Sequence, residues 1–211
     1  MNEINIFIIL IIMKIYKLGD RIDIKYKLDN LELKDKATIT YYHPKGFIFT
    51  CGHCFSKNAI LDIGDLIYSS GFDTEDEGKE IAIIKVKEKH QCMFKPITLS
   101  YLNENISYNG SKAIMVHENN FYFGKVIKKI DKILLEGNYK INDKESYYHN
   151  ITKLDPPYYL VKHSLIDIKH GLSGSPWIIY DKEFKLLGAH IGRTKINENT
   201  FISYVKPLNI S

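Results

Sequence analysis

The segment HGLSGSPW, His170–Trp177, places a serine among glycines just ahead of a closing proline. Gly171 can adopt backbone angles that aim its amide inward, and Gly174 lets a substrate carbonyl approach without meeting a Cβ atom. Ser173 between them offers a hydroxyl. The pattern therefore suits a serine nucleophile with amide donors around it, although an ordinary tight turn before a strand has a similar composition.

A serine hydroxyl has too high a pKa to attack a carbonyl unaided, so the chain must also supply a base. The best candidate is His53, in the segment TCGHCF (Thr50–Phe55) that follows the apolar strand GFIFT. The alternative is a histidine that merely ends a strand.

Short β-branched and aromatic segments separated by turn residues run through the chain after residue 20, and no long amphipathic helix interrupts them after residue 16. This spacing predicts an all-β protein built as a sandwich or barrel. The predicted strands cover 21–28, 37–42, 47–50, parts of 59–68, 81–86, 112–116, 121–127, 132–135, 158–162, 176–180, 185–191 and 201–205. They fall into two groups of similar size, joined across residues 87–110, and the polar segment 137–157 is expected to be an exposed loop.

The order T-x-x-H-C, then G-x-S-G-S-P, resembles the trypsin-like (chymotrypsin-fold) serine proteases, whose motifs read T-A-A-H-C and G-D-S-G-G-P. The resemblance covers residues 36–206. It implies an all-β fold of two six-stranded antiparallel barrels, with the site in the cleft between them. The expected organisation is an N-terminal apolar segment at 1–19, a first β-barrel at 20–90, a connection at 91–110 and a second β-barrel at 111–211.

The resemblance also implies an acid just before a strand that usually reads D-I-A-L-L-K-L. This chain has EIAIIKV, Glu80–Val86, at the matching place, so that Glu80 stands where aspartate is usual. A carboxylate one methylene longer can still accept the imidazole N–H. Asp76, in the acidic run just before, is the alternative acid, and a plain surface glutamate is the alternative interpretation of Glu80.

What the resemblance implies is a serine endopeptidase that needs no cofactor. Ser173 is its nucleophile, His53 its general base and Glu80 the acid that orients the base, while the amides of Gly171 and Ser173 form the oxyanion hole. Leu172 replaces the aspartate that pairs with the new N-terminus of an activated trypsin, so no trypsin-type zymogen switch is expected. The competing hypothesis is a non-catalytic chymotrypsin-fold domain used as a binding or structural module.

The segment LLGAHIGR, Leu186–Arg193, contains G-x-H-x-G, a pattern similar to one in glutamyl endopeptidases and picornavirus-type main proteases. In those families the histidine recognises Glu or Gln before the scissile bond, and His190 is the matching residue here. Asp167 falls about where trypsin keeps its pocket aspartate, which would favour Lys or Arg instead. We favour Glu or Gln, because the G-x-H-x-G context is the more distinctive signal.

Three cysteines are too few, and odd in number, for a disulfide framework, which favours a reducing intracellular compartment over secretion. Cys51 and Cys54, with His90 and Cys92 further on, are residue types of a zinc site. The second pair is spaced too closely, and zinc there would compete with His53. We therefore expect free thiols and no metal.

The formal charge of +4 is spread along the chain, so the expected partner is a protein or peptide substrate and not nucleic acid. The apolar run 4–13 is shorter than a membrane span. It is a weak signal or anchor, a buried first strand, or upstream sequence if Met13 is the true start, and membrane association is the less favoured interpretation. Abundant Ile, Lys, Asn and Tyr are typical of AT-rich genomes, such as that of a protist or of a large virus of one.

Overall fold

The protein is an array of antiparallel strands with little helix. The computed structural model describes residues 15–28, 31–55, 59–70, 79–97, 99–100, 102, 106–131, 155–164 and 171–208. The strands of the first half are β1 (Arg21–Leu28), β2 (Leu31–Thr38), β3 (Tyr41–His43), β4 (Phe47–Cys51), β5 (Ala59–Ile60), β6 (Gly64–Ser69) and β7 (Ile81–Val86). Those of the second half are β8 (Lys112–His117), β9 (Asn120–Ile130), β10 (Tyr158–Ser164), β11 (Pro176–Asp181), β12 (Glu183–Asn197) and β13 (Thr200–Lys206). A one-turn helix, α1 (Glu88–Gln91), and a 3-10 turn (Gly52–Cys54) complete the elements.

The first half forms two sheets, with strand orders β2-β1-β5 and β3-β4-β7-β6, that share one core. Strand β7 contributes one face to this core. Its side chains alternate, so that Ala82, Ile84 and Val86 are buried while the residues between them are half-buried. The chain passes from one sheet to the other just after β2. Ile39 N–H still donates to Asp20 O (2.8 Å), but the next amide, of Thr40, donates to Phe49 O on β4 (3.0 Å). The predicted strand 37–42 is therefore two strands, because its backbone changes partner in the middle.

The second half is a closed barrel with the strand order β10-β13-β12-β11-β8-β9. Its interior is packed with large apolar side chains, among them Trp177, Met115 and Val161, which are fully buried. A third apolar cluster joins the halves, since Tyr41 of β3 packs with Ile178 of β11. The two halves are thus held against each other by the hydrophobic contact of their own strands.

The all-β architecture predicted from the sequence is confirmed. The apolar run 4–13 and the predicted strand 132–135 lie outside the described residues, and the domain boundaries at 20, 91 and 111 stay predictions. Within the described part of the chain, no helix has the length and apolar character needed to cross a membrane.

Candidate active site

His53 sits on the 3-10 turn that follows β4. The turn is folded tightly against the chain after β6, because a Cβ on Gly52 would lie 1.6 Å from Ser70 O, so no other residue fits there. Phe55 N–H closes the turn on Gly52 O at 2.9 Å. The His53 side chain remains 21% exposed, which leaves its ring within reach of solvent.

Glu80 immediately precedes β7 and meets His53 because of strand register. β4 and β7 are antiparallel with Cys51 opposite Ile81, so the residues after β4 and before β7 come to the same end of the sheet. Glu80 has the left-handed backbone angle φ +52°, which is uncommon for a residue with a side chain. Its Oε2 accepts from His53 Nδ1 at 2.9 Å and from His53 N–H at 3.2 Å, so the carboxylate fixes both the ring and the backbone of His53.

Ser173 lies on the loop that enters β11. Gly174 has φ +83°, and a Cβ there would lie 2.5 Å from Thr50 Oγ1, so both conformation and space require glycine. The loop is fastened to both halves: Gly174 N–H donates to His190 O at 2.8 Å, and Thr40 Oγ1 donates to Gly174 O at 2.5 Å. In this position Ser173 Oγ is 2.7 Å from His53 Nε2.

The hydrogen bonds assign the protons of the imidazole. A carboxylate only accepts, so His53 Nδ1 donates to Glu80 and carries a proton in both charge states of the ring. In the neutral ring Nε2 is then the acceptor, and the Ser173 hydroxyl donates to it. Glu80, His53 and Ser173 therefore form one chain along which a proton can pass from the serine to the imidazole.

Two free thiols adjoin this chain: Cys51 Sγ lies 3.1 Å from Cys54 Sγ and 3.9 Å from His53 Nε2. Burial raises the pKa of the Cys51 thiol well above its usual value. The hydrogen bond with Cys51, together with the nearby His53, lowers the pKa of Cys54 to about 6 in spite of its burial.

The pKa of His53 is shifted upward, opposite to that of Cys54. Burial acts to lower its pKa, but hydrogen bonds with Cys54 and Glu80 outweigh burial and raise the pKa to about 10. The two shifts have opposite directions, and together they favour a negative charge on Cys54 and a positive charge on His53 as a pair. The neutral imidazole that can accept a proton is formed when that pair loses its proton.

The remaining predicted residues fall into three groups. Gly171, with φ +88°, is on the Ser173 loop, and its carbonyl accepts from Thr38 Oγ1 at 3.4 Å; the donor role of the Gly171 and Ser173 amides stays a prediction. Asp167 and Asp76 lie outside the described residues. Leu172 is buried among the apolar residues of the barrel.

His190 lies directly behind the Ser173 loop on β12, where its N–H donates to Ser175 O at 2.8 Å. The side chain is 2% exposed. Burial, helped by the positive charge of Arg193 and by His163, lowers the pKa of His190 to about 3, so the ring is neutral. Trp177 Nε1–H donates to His190 Nδ1 at 3.4 Å, which leaves the ring proton on Nε2.

Of the cysteine and histidine residues considered as zinc ligands, the structure brings together only Cys51 and Cys54, with His53 between them. Cys92 is exposed, and His90 Nδ1 instead lies 3.3 Å from Met93 Sδ on the turn after α1. All three cysteines are free thiols.

Sequence reasoning missed several residues that build the site. The Thr40 hydroxyl fastens the Ser173 loop to the first half, whereas Thr50 packs against Gly174 and its Oγ1 donates to Thr38 O at 2.6 Å. Arg21 places its guanidinium 3.3 Å from where a Cβ of Gly171 would lie. Thr50 is the first residue of the T-x-x-H-C motif, but neither that motif nor the sequence around Thr40 and Arg21 indicates these contacts.

The sequence matches no protein-family model, and no curated protein matches it. Solved structures do match. Thermobifida fusca Protease A is 14% identical over 90% of each chain, with a TM-score of 0.54. Cellulomonas bogoriensis chymotrypsin is 14% identical over 82% of this chain and 84% of its own, with a TM-score of 0.51. The active form of the Rv3671c protease from M. tuberculosis is 16% identical over 90% of this chain and 76% of its own, also at 0.51. The all-β arrangement of two packed sheets in the first half and a closed barrel in the second is therefore the trypsin-like, chymotrypsin-type protease fold.

Proposed function

We propose that the protein is a serine endopeptidase that hydrolyses peptide bonds through an acyl-enzyme. The observation that carries the proposal is the continuous hydrogen-bonded chain from Glu80 through His53 to Ser173, with contacts of 2.9 and 2.7 Å. A binding module of the same fold has no need for a serine hydroxyl aligned on an imidazole. The alignment is what nucleophilic catalysis requires.

In the proposed mechanism Ser173 Oγ attacks the carbonyl carbon of the scissile bond while His53 Nε2 takes its proton. Glu80 stabilises the imidazolium that results. The amides of Gly171 and Ser173 would hold the oxyanion, each contributing about 3 kcal/mol to the stabilisation of the transition state. His53 then protonates the leaving amine, and the same base activates the water that hydrolyses the acyl-enzyme.

Labelling by a fluorophosphonate probe tests this function. We expect one covalent adduct on Ser173, and none on the Ser173→Ala variant, because only a serine deprotonated by a neighbouring base attacks the phosphorus at a useful rate. Ser164→Ala, which removes an exposed hydroxyl on β10, is the matched control and should label like the wild type. Folded wild-type protein that takes no label, or a label that persists in Ser173→Ala, would contradict the proposal and favour a non-catalytic module.

We further propose that the enzyme cleaves after Gln or Glu through recognition by His190. Support comes from the ring chemistry: a neutral imidazole with its proton on Nε2 offers one N–H donor, which suits the side-chain oxygen of either residue. Since the pKa of His190 is about 3, the ring stays neutral from pH 5 to 8, and the preference should not change over that range.

A panel of peptides that differ only in the residue before the cut measures this preference. We expect Gln and Glu peptides to be cleaved best, and His190→Leu to lower their kcat/KM by about 10 to 100-fold, the effect of leaving one polar partner unsatisfied. Fluorophosphonate labelling of His190→Leu at the wild-type rate would show that its Ser173 site is intact. Cleavage confined to Lys or Arg peptides would overturn the role of His190 and favour Asp167.

A further inference from the structure

The proposed catalytic base belongs to a group of three side chains of the kinds that bind transition metals. Ligand atoms of Cys51, His53 and Cys54 all lie within 4.8 Å of one another, and within the described residues this is the only such group of three. Cys51 is buried at the end of β4, whereas His53 and Cys54 on the following turn are partly exposed. One ligand is therefore fixed in the core, and the other two leave a path for an ion from solvent.

The contacts of the histidine decide which of its nitrogens is available. Nδ1 is held by Glu80 at 2.9 Å, while Nε2 faces Cys51 Sγ at 3.9 Å. A histidine that ligates a metal usually donates its other N–H to a carboxylate, which fixes the ring and raises the basicity of the ligating nitrogen. Glu80 already does this for His53. The carboxylate–histidine pair that suits a catalytic base is thus also the pair that suits a metal ligand.

The distances are close to those of a tetrahedral site. With Zn–S bonds of about 2.3 Å and Zn–N bonds of about 2.0 Å, two sulfur ligands lie about 3.8 Å apart and a sulfur and a nitrogen about 3.5 Å apart. The Cys51 and Cys54 sulfurs are now 3.1 Å apart, and Cys51 Sγ is 3.9 Å from Nε2. Zn²⁺ binding would therefore require the two sulfurs to move apart by about 0.7 Å.

We propose that Cys51, His53 Nε2 and Cys54 form a binding site for Zn²⁺, and that the bound ion holds the protease inactive. Two sulfurs and one imidazole nitrogen are a soft ligand set that favours this ion over Mg²⁺ or Ca²⁺. The fourth position is open to water or to Ser173 Oγ, which lies 2.7 Å from Nε2. Coordination uses the Nε2 lone pair that would accept the serine proton, so metal binding and catalysis exclude each other. The inhibitory effect rests on the proposed protease function, but the metal site does not.

The metal site is tested with Co²⁺ on the Ser173→Ala variant, which keeps the three ligands but has no nucleophile. We expect one equivalent of Co²⁺ to bind and to produce the intense ultraviolet absorption of thiolate-to-cobalt charge transfer, which Zn²⁺ then displaces. Adding Cys51→Ser or Cys54→Ser should remove most of that absorption, whereas Cys92→Ser should leave it unchanged. Cobalt absorption without charge transfer, or absorption that survives in both of the first two variants, would overturn the proposal.

The inhibitory effect is tested on the wild-type enzyme with peptide substrate and a phosphine reductant that keeps the thiols reduced. Zn²⁺ should inhibit and EDTA should restore activity, and the Zn²⁺ concentration for half inhibition should rise by more than about 100-fold in Cys54→Ser. Each variant is compared with its own metal-free rate. If Zn²⁺ inhibited Cys51→Ser and Cys54→Ser as strongly as the wild type, the assignment would be contradicted. A protein that shows the charge-transfer absorption with Co²⁺ but cleaves no peptide when it is metal-free would support the metal site and contradict only the protease function.

Discussion

Replacing Glu80 by glutamine is expected to lower kcat/KM on peptide substrates by about 10⁴-fold with little change in KM. The amide has nearly the same shape, but its NH₂ group donates, whereas His53 Nδ1 needs an acceptor at 2.9 Å. The ring would then favour the tautomer whose proton is on Nε2, which cannot take the Ser173 proton. Steady-state kinetics on one peptide substrate measure the effect.

Two further variants make this experiment specific. Glu88→Gln removes an exposed carboxylate on α1 and should leave kcat/KM unchanged. Glu80→Asp keeps the charge but shortens the reach, so its activity should lie between those of the wild type and Glu80→Gln. If Glu80→Gln kept more than a tenth of the wild-type rate, another acid would have to orient His53, and Asp76 would be the next to replace.

Cys54→Ser is expected to raise kcat/KM at pH 7 on the order of 100-fold. His53 must be neutral to accept a proton, so activity falls as the pH drops below the pKa of His53. In the wild type that pKa is raised to about 10, with the hydrogen bond to Cys54 among its causes, so the free enzyme is mostly protonated at pH 7. A serine hydroxyl carries no negative charge at this pH, and the pKa of His53 should return toward its ordinary value of about 6.5.

The pH profile of kcat/KM, recorded with EDTA and a phosphine reductant, distinguishes this effect from the removal of a trace metal. We expect the acidic limb of Cys54→Ser to lie well below that of the wild type, while the Cys92→Ser profile overlays the wild type. An unchanged limb in Cys54→Ser would mean that the thiolate does not control the protonation of His53.

The strands were the most predictable part of the fold. The run EIAIIKV is recognisable as a strand because it is short, apolar and rich in β-branched residues, and in the structure its positions alternate between buried and half-buried because β7 packs one face on the core. The change of sheet between Ile39 and Thr40 was not predictable, since it depends on which distant carbonyls accept their amides. Strand pairing across long stretches of sequence leaves no local pattern.

The candidate site was likewise predictable only in part. The sequence predicted His53, Glu80 and Ser173 as one set, and the structure brings them within hydrogen-bonding distance. The left-handed backbone of Glu80 and the hydroxyl of Thr40 that holds Gly174 carry no sequence signal, because each depends on tertiary packing. The sequence showed the cysteine pair as potential zinc ligands that would compete with His53, but it did not show which sulfur contacts the ring.

Because Gly174 is attached to Thr40, the Ser173 loop reaches the other two side chains only when the two halves of the chain meet, and this matters during protein synthesis. The imidazole and the carboxylate come from the first half and the hydroxyl from the second, 120 residues after His53. A chain still being synthesised could fold its early strands and yet cut nothing, because its nucleophile would not have been made. If the proposed protease function holds, the ability to hydrolyse peptides arises only when the later barrel docks on the earlier sheets, and the growing chain is not exposed to it.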